Sequence, residues 1–338
     1  MVNSSSFLPL IAIEEHFLTE EVLRAWYDKG LSVTDPSLAH STGLISERLL
    51  DLAQGRLALM DEAGVDVQVL SLTTPALHEL GAESVDIARR CNDAIAEAIV
   101  RHPGRFQGFA TLPVSDPQAA ALELERCVKT LGFKGTMLSG RVGNRNLDHP
   151  DFMPVFECAS MLGAPVLLHP RTPPLAVREA YYSDLSPELD VALATFGLGW
   201  HYDAGLQFVR LMVSGIFDRL PALQIILGHW GELIHFYAER LAVMGRVGNL
   251  NKPVSDYLKS NLYVTASGMF LPHYLERAAN IVGKGRLLFS TDFPYQYRPG
   301  HEAQKFLDTC GLTDEDLSGF AHANWERLTQ NCGKQEMQ

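Results

Sequence analysis

Short apolar runs alternate along this chain with longer segments whose apolar positions recur every three or four residues. The short runs are rich in Val, Ile, Leu and Phe and fall at 10–14, 66–72, 106–112, 133–138, 165–169, 223–229, 261–266 and 286–292. Runs of this length and composition predict buried strands. Between them, 47–63 carries Leu50, Leu57 and Met60 at helical spacing, and 84–101 carries Ile87, Cys91, Ala94, Ile95 and Ala98. Further helical patterns cover 117–131, 150–162, 204–217, 232–244, 272–282 and 313–329. Strands alternating with helices predict parallel βα units joined by right-handed crossovers. Eight such units predict an α/β fold, a (β/α)8 TIM-like barrel. A doubly wound open sheet would show the same alternation, but no Gly-rich phosphate fingerprint follows the first strand.

Two segments interrupt the repeat. One, 18–46, follows the first strand and holds Trp26 and Tyr27. The other, 170–203, follows the fifth and holds Tyr181, Tyr182, Phe196, Trp200 and His201. Barrel active sites are built from the loops that follow strands. Long aromatic-rich loops in those places predict a cover over a pocket for a flat ligand, a subunit interface, or both. No internal repeat, linker or low-complexity tract divides the chain, so 1–338 is expected to form a single barrel domain with its core at about 8–329. The polar tail after Gln330 is expected to be loose.

Composition narrows the function. The formal net charge of -12 argues against general nucleic-acid binding. It leaves room for an anionic substrate, because a metal or a local arginine can set the field of a pocket. The cysteines Cys91, Cys127, Cys158, Cys310 and Cys332 are odd in number, widely spaced and without a CxxC. They read as reduced thiols, which points to a cytoplasmic protein. No stretch is long and apolar enough to span a bilayer, and no basic segment precedes the first apolar run.

Chemistry gathers at the strand ends. Glu14 and His16 stand two residues apart at the end of the first run, so both leave the strand on one side. A carboxylate and an imidazole together suit a borderline divalent metal; alone, the pair reads equally well as a solvated strand end. The fifth run ends in His169 before Pro170-Arg171, the sixth in His229 before Trp230-Gly231-Glu232, and the eighth in Asp292 before Phe293-Pro294. Singly, His229 reads as a satisfied core histidine and Asp292 as the start of an Asx turn. In a parallel barrel, however, all these ends share one rim. Buried polar residues are costly there unless paired or coordinated.

With these motifs the chain resembles the amidohydrolase superfamily, in particular the metal-dependent decarboxylase branch that includes γ-resorcylate, 2,3-dihydroxybenzoate and 5-carboxyvanillate decarboxylases. The resemblance rests on Ile13-Glu-Glu-His-Phe17, His169-Pro-Arg171, the run from Phe217 to Gly228-His-Trp-Gly-Glu232, Thr265-Ala-Ser-Gly268 and Leu288-Phe-Ser-Thr-Asp-Phe-Pro294. It implies that Glu14, His16, His169 and Asp292 are metal ligands, that His229 lies beside the metal, and that Glu232 is its carboxylate partner. It also implies a homodimer or homotetramer. The Glu-x-His at the first strand favours the resorcylate-type members over those with His-x-His. Binuclear members carry a carboxylated lysine at the end of the fourth strand. Here Lys134 stands near that strand's start and its end reads Met137-Leu-Ser-Gly140, so one divalent ion is expected, Zn2+ or Mn2+. The loop after the first strand, with Leu23-Arg-Ala-Trp-Tyr27, departs from the resorcylate enzymes and leaves the exact substrate open.

The expected activity is non-oxidative decarboxylation of an ortho-hydroxy aromatic acid, chelated to the metal through carboxylate and hydroxyl. Asp292 is the expected proton donor to the ring carbon, with His229 and Glu232 positioning or relaying the proton. A donor must hold a proton near neutral pH, so the Asp292 pKa is expected to rise when anionic substrate binds beside it. Arg171, Phe17, Phe293 and Tyr295 are the candidate substrate contacts. The alternative is hydrolysis of a lactone or amide on the same rim, with metal-activated water and Asp292 as base. A binding barrel without chemistry fits less well, since all expected ligands are present.

Overall fold

A computed structural model describes residues 8–334. The ends of the proposed domain, 1–7 and 335–338, lie outside the described residues. Eight strands follow one another in a single sheet: β1 Ile11–Phe17, β2 Val67–Leu72, β3 Phe106–Ala110, β4 Gly135–Ser139, β5 Val166–His169, β6 Ile225–Leu227, β7 Leu262–Thr265 and β8 Leu287–Leu288. Every neighbouring pair from β1 to β8 is parallel. The ring closes where the Ile13 amide donates to the Phe289 carbonyl (3.0 Å) and the His16 amide to that of Phe293 (2.7 Å). The fold is the predicted (β/α)8 barrel.

Strand alternation divides the apolar residues into two layers. Ile11, Ile13, Val69, Phe109, Met137, Leu167, Ile226, Tyr263 and Leu288 point inward from the eight strands and form the barrel's inner core with Trp325. The Trp325 indole is held by the Gln107 side chain at 2.9 Å. A larger outer layer, with Leu70, Ala110, Leu138, Val166, Leu168, Leu227 and Phe289, packs the sheet against the helices. Truncating an inner residue such as Leu167 to Ala is expected to cost roughly 2–5 kcal/mol.

Several expected elements differ in extent. The eighth strand is two residues long rather than seven. Beyond it, side chains take over the ladder's work: the Ser267 amide donates to Ser290 Oγ (2.7 Å) and the Thr291 amide to Glu15 (2.8 Å). The helix expected at 47–63 is two helices, Gly43–Leu50 and Gln54–Ala63, because the Asp51 carboxylate accepts from the Ala53 and Arg56 amides and restarts the chain. The helix expected at 204–217 starts early, as Gly199–Val213, and breaks before Ile216–Arg219 at Gly215, whose φ is +75°. Only short turns fill 232–244.

The long segments after β1 and β5 are themselves helical, with Glu20–Asp28 in the first and Leu175–Tyr181 and Pro187–Ala192 in the second. Trp26 does not face a ligand: its ring is fully buried in the outer layer and its indole donates to the Ala76 carbonyl (2.7 Å). The tail is tighter than expected as far as Lys334, since the Gly333 amide donates to the Leu162 carbonyl (2.9 Å). No helix among the described residues is long and apolar enough to cross a membrane.

Candidate metal centre

Strict alternation from Ile11 and Ile13, which face inward, would send Glu14 and His16 outward. The structure reverses this with one extra residue in β1. Ala12 pairs with Gln68, yet Glu15 pairs with Leu70, so three residues of β1 span two of β2. Such a bulge re-aims the side chains beyond it. Glu14 and His16 turn into the barrel mouth, and Glu15 turns outward to Gln68 and Thr291. His169 needs no such device, since it follows the inward Leu167 by two residues; Asp292 lies past the end of β8, at φ +59°.

The four side chains converge. Glu14, His16, His169 and Asp292 are all buried, and each offers a ligand atom within 4.8 Å of the others. His16 Nε2 stands 3.2 Å from Asp292 Oδ1, and His169 Nε2 stands 3.8 Å from Glu14 Oε1. The far side of each ring is held elsewhere. His169 Nδ1 donates to the Pro170 carbonyl (2.8 Å), and His16 Nδ1 lies 3.4 Å from Ser71 Oγ. That fixes each ring with Nε2 toward the centre, as a metal-binding imidazole requires. Glu14 Oε1 and His16 Nε2 are buried without any hydrogen-bond partner. Each unmet group costs about 1–3 kcal/mol. A divalent cation taking both lone pairs removes that cost, so the donor set fits one ion. Burial pushes the Glu14 carboxyl up, and burial together with the neighbouring His16 pushes His169 down to about 3, leaving a neutral imidazole.

A cradle surrounds Glu14. Its second oxygen accepts from Thr265 Oγ1 (2.8 Å) and from Ser267 Oγ. Gly228 leaves room for it, since a Cβ there would stand 2.8 Å from the Glu14 carboxylate. Behind β1, Arg56 donates to the His16 carbonyl (2.6 Å) and to Gln68 (2.7 Å), and covers the Phe293 ring at 4.6 Å. This outer network holds the backbone on both sides of the centre.

Beside these four side chains stands a second polar group. His229 Nδ1 donates to Glu232 Oε1 (2.7 Å), and His229 Nε2 faces Asp292 Oδ2 at 3.9 Å. Burial pushes the His229 pKa down, but Glu232 and Glu14 outweigh it and hold the ring well above its ordinary value. Glu232, against the opposing effect of burial, is held down at about 2 by His229 and His201. Asp292, against the opposing effect of burial, is likewise held at about 2 by the neighbouring His16 and His229 rings. In the absence of substrate Asp292 is therefore ionised, not protonated. His229, Glu232 and Asp292 adopt positive φ, at 45°, 51° and 59°. Non-glycine residues held there cost on the order of 1–3 kcal/mol each, a strain typical of functional sites.

The candidate substrate contacts separate into two groups. Phe17 follows the inward His16, so alternation turns it to the outer layer. Phe17 is fully buried in that layer and Phe293 lies against Arg56, so neither faces the mouth. Tyr295 does flank the centre, with its ring 5.7 Å from that of His16 and its hydroxyl between Ser41 (2.8 Å) and Thr73 (2.7 Å). Arg171 is buried against Glu79 and the Arg141 carbonyl, and lines a cavity of about 460 Å³ with Asp35, Arg141, Thr172 and Arg178. Sequence reasoning gave no role to Thr265 and Ser267, although the Thr265-Ala-Ser-Gly268 motif marked their place. It also gave none to His201, whose ring lies 4.4 Å from that of His229. Its only signal was a histidine inside an aromatic segment.

A buried carboxylate–imidazole centre on the loop face of a closed parallel barrel defines a metal-dependent barrel enzyme. The chain belongs to the amidohydrolase family, whose profile matches residues 16–328. It is 35% identical over 340 residues to the γ-resorcylate decarboxylase of Polaromonas sp. JS666, covering 94% of this chain and 97% of that protein. It is 32% identical to the decarboxylase orsB of Emericella nidulans, covering 97% and 99%. Among solved structures it is similar to 5-carboxyvanillate decarboxylase from Novosphingobium aromaticivorans, complexed with manganese and 4-hydroxy-3-methoxy-5-nitrobenzoic acid. That match has a TM-score of 0.87 and 31% identity, and covers 95% of this chain and 96% of that one. It is also similar to dihydroxybenzoic acid decarboxylase from Polaromonas sp. JS666 with bound manganese and 2-nitroresorcinol, with a TM-score of 0.82 and 33% identity, covering 96% and 97%.

Proposed function

We propose that this chain is a metal-dependent, non-oxidative decarboxylase of an aromatic acid with a hydroxyl ortho to its carboxylate. One observation carries the reading: four buried ligand groups, two of them with orphaned lone pairs, converge in a chain 35% identical to a γ-resorcylate decarboxylase. Glu14, His16, His169 and Asp292 hold one divalent ion, Mn2+ or Zn2+. When bound, the ion supplies charge neutralisation and Lewis acidity toward the substrate's carboxylate and ortho oxygen.

The protein's own groups move the proton. Asp292 delivers it to the ring carbon that bears the carboxylate. The bond to the carboxylate carbon then breaks, its electron pair restores the aromatic ring, and CO2 leaves. The ionised Asp292 must first gain a proton. Protonated His229, 3.9 Å away, stands ready to supply it, and an anionic substrate beside the carboxylate favours the transfer. Glu232 keeps the His229 ring oriented through its Nδ1–H. Tyr295 and Arg171 meet the substrate from the mouth.

We also propose that 1–338 acts as one domain, since a single barrel spans the described residues. A homodimer or homotetramer is supported by the exposed large apolar side chains Leu189, Phe196, Leu198, Tyr202, Phe236 and Tyr237. The free cysteines support a cytoplasmic location. The test is metal content by elemental analysis, with CO2 release measured on the same preparation from 2,6-dihydroxybenzoate, 2,3-dihydroxybenzoate and 5-carboxyvanillate. About one Mn2+ or Zn2+ per chain with CO2 from any of these supports the reading. One ion with no CO2 moves the assignment to hydrolysis of a lactone or amide, and no ion overturns the centre itself.

A further inference from the structure

We infer that His201 is a positioning residue for the catalytic pair His229–Glu232, and that it ties the segment after β5 to the chemistry. The inference rests on the decarboxylase reading for its activity readout, but its geometry stands alone. His201 lies in the first turn of the helix Gly199–Val213, in the segment between β5 and β6. Its Nδ1 is 2.8 Å from Glu232 Oε2, and its Nε2 is 3.1 Å from the Phe196 carbonyl. A carboxylate oxygen accepts, so Nδ1 is the donor of the first contact.

Glu232 is thereby bonded at both ends. Oε1 accepts from His229 at 2.7 Å and Oε2 from His201 at 2.8 Å. The carboxylate is 1% exposed, and His229 and His201 are the two side chains that donate to it. Removing His201 leaves one buried carboxylate oxygen unmet, and the group can then rotate to restore its bonds at the expense of the His229 contact. His229 is the group whose Nε2 faces Asp292. A shift at Glu232 therefore changes the aim of the His229 ring, yet it touches no metal ligand directly. Packing favours the same arrangement, since the His201 and His229 rings meet edge to face. The Gly205 position, one turn further along the helix, also abuts the Glu232 carbonyl: a Cβ there would stand 2.4 Å from that oxygen. The helix and the catalytic loop are thus locked at two points, one through side chains and one through backbone.

Substitution tests the inference on the intact metal-loaded enzyme. His201→Ala is expected to lower kcat about tenfold, the cost of one unmet buried acceptor, with KM and metal content unchanged. His201→Asn, whose side-chain amide can place an N–H near the position of Nδ1, is expected to recover most of the loss. A kcat within twofold of wild type in His201→Ala overturns the inference. So does a loss confined to KM or to metal content, or an Asn variant no better than Ala. If His201→Ala does not fold, wild-type protein labelled with 15N in its histidines decides. The expected result is a slowly exchanging proton on His201 Nδ1 that shifts with the His229 Nδ1 proton on binding 2-nitroresorcinol; a bare, freely exchanging Nδ1 overturns the inference. Wild-type CO2 release is the control: its absence refutes the decarboxylase reading and leaves the nitrogen measurement to judge His201.

Discussion

Glu14 shows what a single residue does in this centre. One of its oxygens is saturated by Thr265 and Ser267, while the other is buried and unmet, facing the two imidazoles. Glu14→Gln replaces a lone-pair donor by an amide and is expected to release the metal, checked by elemental analysis after dialysis. On the proposed mechanism Asp292 has a double role, as ligand and as acid. Asp292→Asn is expected to keep at least part of the metal and to lose CO2 release by about 100-fold or more, since general acid catalysis contributes roughly 10²–10⁴. Near-normal turnover with metal bound would end the proposed proton transfer. At this scale the sequence was most legible where residue type and strand end coincide, as at Glu14, His16, His169 and Asp292. It was least legible at Phe17, whose neighbour on the strand already occupies the inward face, and at Phe293, which lies against Arg56.

Among the elements, β1 and β6 do the most to shape the site. The bulge between Ala12 and Glu15 swings Glu14 and His16 inward. The β6 strand is followed by Gly228 and then by His229, Trp230, Gly231, Glu232 and Leu233, these last five all at positive φ. That unusual run stops a helix from starting at Glu232, and lets Glu232 fold back on His229. Gly228→Ala places a methyl 2.8 Å from the Glu14 carboxylate, which has no room to retreat because Thr265 and Ser267 hold it. The expected result is metal affinity weakened by tenfold or more with the barrel intact, measured by metal titration and circular dichroism. A Gly228→Ala enzyme with wild-type affinity would show that Glu14 moves freely.

For the whole molecule, metal and fold are linked. The candidate ligands come from β1, β5 and the segment after β8, so an ion held by them would join both sides of the seam where the barrel closes. Chelation is expected to lower Tm, and adding metal at about 100 times its Kd restores about 2.7 kcal/mol. Acid acts through a different residue. The His235 ring is buried with neither nitrogen paired, and burial first, then Arg277, push it down to about 4 from 6.5. The unfolded chain binds this proton more readily, so stability is full above about pH 6.5 and falls as pH drops toward 4, by roughly 3 kcal/mol in full. Denaturant unfolding of the metal-free protein at pH 7.5 and 4.5 checks this. His235→Leu is expected to flatten that acid limb.

The order of the elements was a local property, and the sequence by itself determined it; the strand-end positions of the candidate ligands were legible there too. Alternating runs specify parallel βα units because burial on both faces demands continuous apolar strands. The same runs place Glu14, His16, His169, His229 and Asp292 at their ends, where a strand meets the mouth. Tertiary structure decided which way those residues point. The bulge in β1 exists only against β2, the cradle of Glu14 is built from β7, and the eighth strand is short because Glu15 and Ser290 hold its end. His201 reaches Glu232 because the helix Gly199–Val213 folds back over the loop after β6. Each of these contacts joins residues distant in the chain or turns on the pairing of neighbouring strands, and neither leaves a mark in local periodicity.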